Sequence, residues 1–120
     1  MVVEAVEASL NIPLNYPVKK DYYNAVSWFI KAAEQNHPDS LIQLAFCYYF
    51  GYGCSKDYKK AYEYYLKAAE LGDARGQNGV AYCYFNGYGV KKDLERAKFY
   101  FQKASANGDN DAQKMLESYF

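Results

Sequence analysis

Apolar residues recur along this chain at helical spacing, in blocks that turn residues interrupt. Between positions 58 and 71 they fall at Tyr58, Ala61, Tyr62, Tyr65, Ala68 and Ala69, while Lys59, Lys60, Glu63, Lys67 and Glu70 take the other side. Steps of three and four place the first set on one face of an α-helix. Asp57 is positioned to cap its start, because a carboxylate there accepts a hydrogen bond from a free first-turn amide. Gly72 is positioned to close it, since the left-handed residue after a helix favours glycine. Glu63 and Lys67 form an i,i+4 pair in the better orientation. A second stripe follows at Gly76, Val80, Cys83 and Tyr84, and Gly87-Tyr88-Gly89 ends it. The same reading along the whole chain predicts seven helical segments, roughly over 2–12, 21–35, 39–50, 57–71, 74–86, 93–107 and 110–120.

These blocks are copies of one another. Gly51-Tyr52-Gly53-Cys54-Ser55-Lys56-Asp57, with Ala61 beyond it, returns 36 positions later as Gly87-Tyr88-Gly89-Val90-Lys91-Lys92-Asp93 with Ala97. A worn copy, Asn15-Tyr16-Pro17-Val18-Lys19-Lys20-Asp21 with Ala25, precedes both. A fixed period in this range marks a helical solenoid, in which each unit buries its apolar face against its neighbours. The expected architecture is all-α, a single domain over 1–120, with about three repeats of antiparallel helix pairs. The divergent first repeat is assigned to 1–36, the second to 37–72, the third to 73–108 and a terminal half-repeat to 109–120. Small residues share positions (Ala25, Ala61, Ala97; Ala32, Ala68, Ala104), and large rings share others (Trp28, Tyr64, Tyr100; Phe29, Tyr65, Phe101). Small side chains let helices approach and rings fill the flanking space, a packing device.

Composition narrows the function classes. Lys plus Arg and Asp plus Glu number 14 each, so the net charge is zero and no electrostatic footprint for nucleic acid or an anionic membrane surface exists. No apolar run reaches the length of a spanning helix, so direct membrane insertion is not expected. The acidic start, Met1-Val2-Val3-Glu4-Ala5-Val6-Glu7, does not read as a secretory signal. Three cysteines, an odd count, favour a reducing cytoplasmic setting. The last residues, Tyr119 and Phe120, stand where Cys83 and Tyr84 stand one repeat earlier. An apolar end of this kind leaves two readings open: a piece of a longer array, or self-association through the C-terminal helix.

The run Lys67-Ala68-Ala69-Glu70-Leu71-Gly72-Asp73-Ala74, then Tyr84-Phe85-Asn86-Gly87-Tyr88-Gly89-Val90, then Asp93 and Ala97, resembles the Sel-one-like repeat (SLR), a longer-period relative of the tetratricopeptide repeat. The resemblance runs from about Val18 to the end of the chain. It implies a right-handed superhelix of α-hairpins and a non-catalytic adaptor that binds a protein or peptide. It also implies two alternatives. One, favoured by the apolar C-terminal end, is a regulatory segment of a larger protein that activates a membrane enzyme. The other is a β-lactam hydrolase-like activity, as in a cysteine-rich branch whose repeats look stapled by paired cysteines. The matching places here are Ala33 and Ser40, Ala69 and Gly76, and Ser105 and Ala112, none of them cysteine.

Catalytic and metal-binding patterns are absent from the sequence. There is no Ser-x-x-Lys motif and no threonine, and the one histidine, His37, sits in a turn before Pro38 without companions. Cys47 and Cys83 share one repeat position and read as buried small hydrophobes, and Cys54 as an apolar plug. No cofactor and no metal are expected.

The candidate binding face follows from helix geometry. With Ser40, Leu44 and Tyr48 toward the core, about 100° per residue puts Ile42, Phe46 and Tyr49 on the opposite, concave side. The next repeat places Asn78, Tyr82 and Phe85 there, and the third copy Lys114 and Ser118. An aromatic step along the inside of the curve leaves two readings open: a seat for a peptide or helical segment of a partner, or rings that the tight curvature of so short an array buries inside.

Overall fold

Aspartates open four of the six helices in the computed structural model, which describes residues 18–120. The helices are α1 (Val18–Ala33), α2 (Pro38–Phe50), α3 (Tyr58–Glu70), α4 (Ala74–Asn86), α5 (Leu94–Ala106) and α6 (Asn110–Tyr119). Asp57 accepts from the amide of Lys60 at 3.1 Å, Asp73 from Arg75 at 2.9 Å, Asp93 from Arg96 at 3.0 Å and Asp109 from Ala112 at 2.9 Å. Each bond satisfies one of the amides that a helix start leaves unpaired. Ahead of α2 the equivalent of Asp73 is His37, whose side chain makes no cap. Pro38 follows it and has no amide to satisfy. The helix expected over 2–12 lies outside the described residues.

The turns repeat as closely as the sequence does. Gly51 and Gly87 both sit at φ +74°, and their amides donate to the carbonyls of Cys47 and Cys83. The amides of Tyr52 and Tyr88 reach those same carbonyls at 2.9 Å. Asp57 and Asp93 then donate their own amides back to Tyr48 and Tyr84, at 2.8 and 2.9 Å. So the residue that caps one helix is also tied to the helix before it.

Among the described residues, every substantial helix interface joins helices adjacent in sequence. The architecture is an all-α helical repeat. Ala61, Ala68, Ala97 and Ala104 are fully buried between helices, as are Leu41, Leu44, Val80 and Phe101. Gly76 marks a close approach of α4 to the backbone of α3: a Cβ there would stand 2.5 Å from the backbone nitrogen of Ala69. The rings take their expected places in the second and third repeats. Tyr65 and Phe101 are buried, while Tyr48 stacks on Tyr64 at 5.8 Å and Tyr84 on Tyr100 at 6.0 Å. Lys60 lies over Tyr48 and Arg96 over Tyr84, so a cation covers each stack. Trp28 departs from the pattern and is 75% exposed. Its stacking partner by register, Ile12, lies outside the described residues.

Candidate interaction groove

A groove of about 450 Å³ opens between α2 and α4, the first helices of successive pairs. Ile42, Phe46, Tyr49 and Phe50 of α2 form one wall, and Asn78, Gly79 and Tyr82 of α4 the other. Tyr65 of α3 reaches the groove because Gly79 has no side chain: a Cβ there would fall 2.3 Å from the Tyr65 ring. Asp109, the cap of α6, bounds one end. Phe46 is 37% exposed and Phe50 48%, large apolar rings open to solvent beside the groove.

The structure brings five of the seven predicted face residues together. Ile42, Phe46, Tyr49, Asn78 and Tyr82 line this one groove. Ile42 is its most enclosed member, 6% exposed. Phe85 lies elsewhere, against Phe101, Tyr119 and Phe120 at 5.2–6.2 Å. Lys114 is exposed on α6 and lies outside the lining. Tyr49 also closes an aromatic cluster with Phe50, Tyr58 and Tyr88.

A row of charges runs along the same side. Asp39, Arg75 and Asp111 occupy one repeat position on α2, α4 and α6. The Arg75 guanidinium is 2.6 Å from Asp39 and 2.7 Å from Asp73. These partners raise the Arg75 pKa, and the Arg75 hydrogen bonds hold the Asp73 carboxyl below its usual range. The Tyr82 hydroxyl donates to Asp111 Oδ2 at 2.6 Å, and the Asn78 amide nitrogen donates to the same oxygen at 3.1 Å. Burial, reinforced by Asp111, raises the Tyr82 pKa. Two buried carbonyl oxygens in the walls, Gln43 Oε1 and Asn78 Oδ1, have no hydrogen-bond partner.

The charge row escaped the sequence reading, although its signal was present. Asp39, Arg75 and Asp111 stand three positions before Ile42, Asn78 and Lys114, which puts them on the same helix face. Gln43 and Gly79 share a repeat position too, and only the packing of Tyr65 shows that it matters. Burial pushes the thiols of Cys47 and Cys83 up to about 12, as suits buried small hydrophobes. Cys54 is half-buried against the core. Among the described residues no group of three or more His, Cys, Asp or Glu side chains is placed to hold a metal ion.

The Sel1 repeat family model matches residues 14–37, 38–73 and 74–109. The chain belongs to the Sel1 repeat family. Sel1 repeat proteins are generally non-catalytic scaffolds that mediate protein–protein interaction. Among solved structures, a Sel1 repeat protein from Oxalobacter formigenes is similar at 26% identity and a TM-score of 0.77, over 82% of this chain and 29% of that one. A protective antigen of uropathogenic Escherichia coli with an SLR fold is similar at 27% identity and a TM-score of 0.80, over 96% of this chain and 23% of that one. The chain thus spans under a third of either protein. Helicobacter pylori cysteine rich protein B is similar at 30% identity and a TM-score of 0.74, over 95% of this chain and 88% of that one. No curated protein gives a match. No described helix of this Sel1 repeat chain is long and apolar enough to cross a membrane.

Proposed function

We propose that this Sel1 repeat chain is a protein-interaction scaffold that takes a peptide or helical segment of its partner in the groove between α2 and α4. The observation that supports the reading is the groove itself. Two repeats contribute equivalent faces to one continuous cleft, and two of its rings, Phe46 and Phe50, face solvent. Exposed apolar surface of this kind is costly to keep in water and marks a contact site. Tyrosine and phenylalanine are the side chains that interface centres favour.

The experiment is affinity capture from native lysate with the wild-type chain and with a Phe46→Ala, Asn78→Ala double variant. Both side chains lie at the groove and neither is fully buried, so the melting temperature is expected to stay within about 3 °C. Proteins recovered by the wild type and lost by the variant support the groove. An unchanged set of captured proteins at unchanged stability overturns it.

A further inference from the structure

We infer that the groove selects a cationic segment, a stretch of polypeptide with a lysine or arginine near one aliphatic or aromatic anchor. The inference rests on the groove being the docking site. It comes from the buried polar atoms that the walls leave unsatisfied, both of which are acceptors, and from the carboxylates around them. Gln43 Oε1 and Asn78 Oδ1 are buried without a donor. The orientation of Asn78 is set by its amide nitrogen, which donates to Asp111 and so turns the carbonyl oxygen away from that carboxylate. Asp111 receives both Asn78 and Tyr82 on Oδ2, and among the described residues no hydrogen bond reaches its Oδ1.

The available positive charge is already committed. Arg75, the one cation in the lining, is held between Asp39 and Asp73. A partner carboxylate entering here would face Asp109 and Asp111, and the one cation in the lining, Arg75, already shares its charge with two carboxylates. A partner cation would find Asp111 oriented by two neighbours, so little ordering is needed at binding. Charge complementarity of this kind selects partners by sign as well as by affinity.

The two ends of the groove differ. At α2, Ile42 and Phe46 offer an apolar seat, while Asp109 and Asp111 stand at the start of α6. Neighbouring helices lie about 8–10 Å apart, and an extended chain covers about 3.3–3.6 Å per residue. One to two such steps place the cation about three to six residues from the anchor.

A phage-displayed library of random dodecapeptides, selected on the immobilised chain, tests this. The expected product is a set of peptides carrying Lys or Arg at that separation from an aromatic or aliphatic residue. A fluorescein-labelled peptide from the set is expected to bind Asp111→Asn about five- to tenfold more weakly, and to weaken between 50 and 300 mM NaCl. Asparagine can still accept from Tyr82, so this variant keeps the local fold. Peptides rich in Asp or Glu, or without charge bias, overturn the cationic inference but leave the groove standing if Phe46→Ala still abolishes their binding. Peptides that ignore Phe46→Ala overturn the groove reading and this inference with it, as does a library that yields no binder. A concentration-dependent dimer that Phe46→Ala dissolves would put a second copy in the groove and also overturn the inference.

Discussion

Gly76 of α4 lies against the backbone of Ala69 in α3, with room for a hydrogen and none for a methyl group. A Cβ would meet the Ala69 nitrogen at 2.5 Å and the Ala68 Cβ at 2.7 Å. Backbone cannot swing aside as a side chain does. Gly76→Ala would gain about 1 kcal/mol of helix propensity and is nonetheless expected to destabilise the chain by about 1–3 kcal/mol through overpacking. Urea unfolding followed by circular dichroism reads the difference. A more stable variant would mean that α3 and α4 do not pack this closely.

Gly89 makes a second prediction, in a turn and not a helix. It combines φ +74° with a Cβ path that ends 2.4 Å from the carbonyl oxygen of Tyr58. Left-handed backbone resists a side chain, and here the space resists it too. Gly89→Ala is expected to cost at least about 2 kcal/mol. Gly72 is also left-handed, but nothing lies within 4 Å of its Cβ path. Gly72→Ala should therefore cost about 1 kcal/mol, and the two melting curves should separate in that order.

The Asp73 carboxylate makes stability depend on pH. Its hydrogen bonds with Arg75 lower its pKa in the folded chain. A lowered carboxyl stabilises the fold above its unfolded value of about 3.9, and that contribution is lost as pH falls through the folded value. Asp73→Ala is expected to cost about 1 kcal/mol at pH 7, chiefly through the lost cap. The gap between the two melting temperatures should hold from pH 7 to about pH 5 and narrow below pH 4. A gap constant down to pH 2 would contradict the pairing.

The three thiols should separate by reactivity. Cys47 and Cys83 are 1% and 0% exposed, with thiols pushed up to about 12. Cys54 is half-buried and its thiol is raised, mainly by burial. A thiol reacts as the thiolate, so maleimide at pH 8 should label Cys54 slowly and the other two hardly at all. Intact mass spectrometry is expected to show one adduct on the native chain and three in urea, with Cys54→Ser removing the native adduct.

The helices and their caps were legible because they depend on near neighbours. Asp57 and Gly87 act at the ends of their own helices, and the spacing of Ala61, Tyr65 and Ala68 needs no partner to be recognised. The groove was half legible. Periodicity brought Ile42, Phe46, Asn78 and Tyr82 to one face, but it carried Phe85 and Lys114 along with them. Phe85 left the set because rings from later in the chain, Phe101 and Tyr119, pack on it. Arg75 and Asp111 were missed for the complementary reason. Their meaning lies in bonds to Asp39 and Tyr82, 36 and 29 positions away, and an amphipathic pattern treats both as ordinary surface charges.

The helix interfaces run from neighbour to neighbour, so α2 and α4 are coupled mainly through α3 and by the exposed Arg75–Asp39 pair. The row formed by α2, α4 and α6 is therefore held together chiefly from behind, by the helices on which its members pack. A molecule seated across the row would clip adjacent coils together. Occupancy would then stiffen the span from α2 to α4.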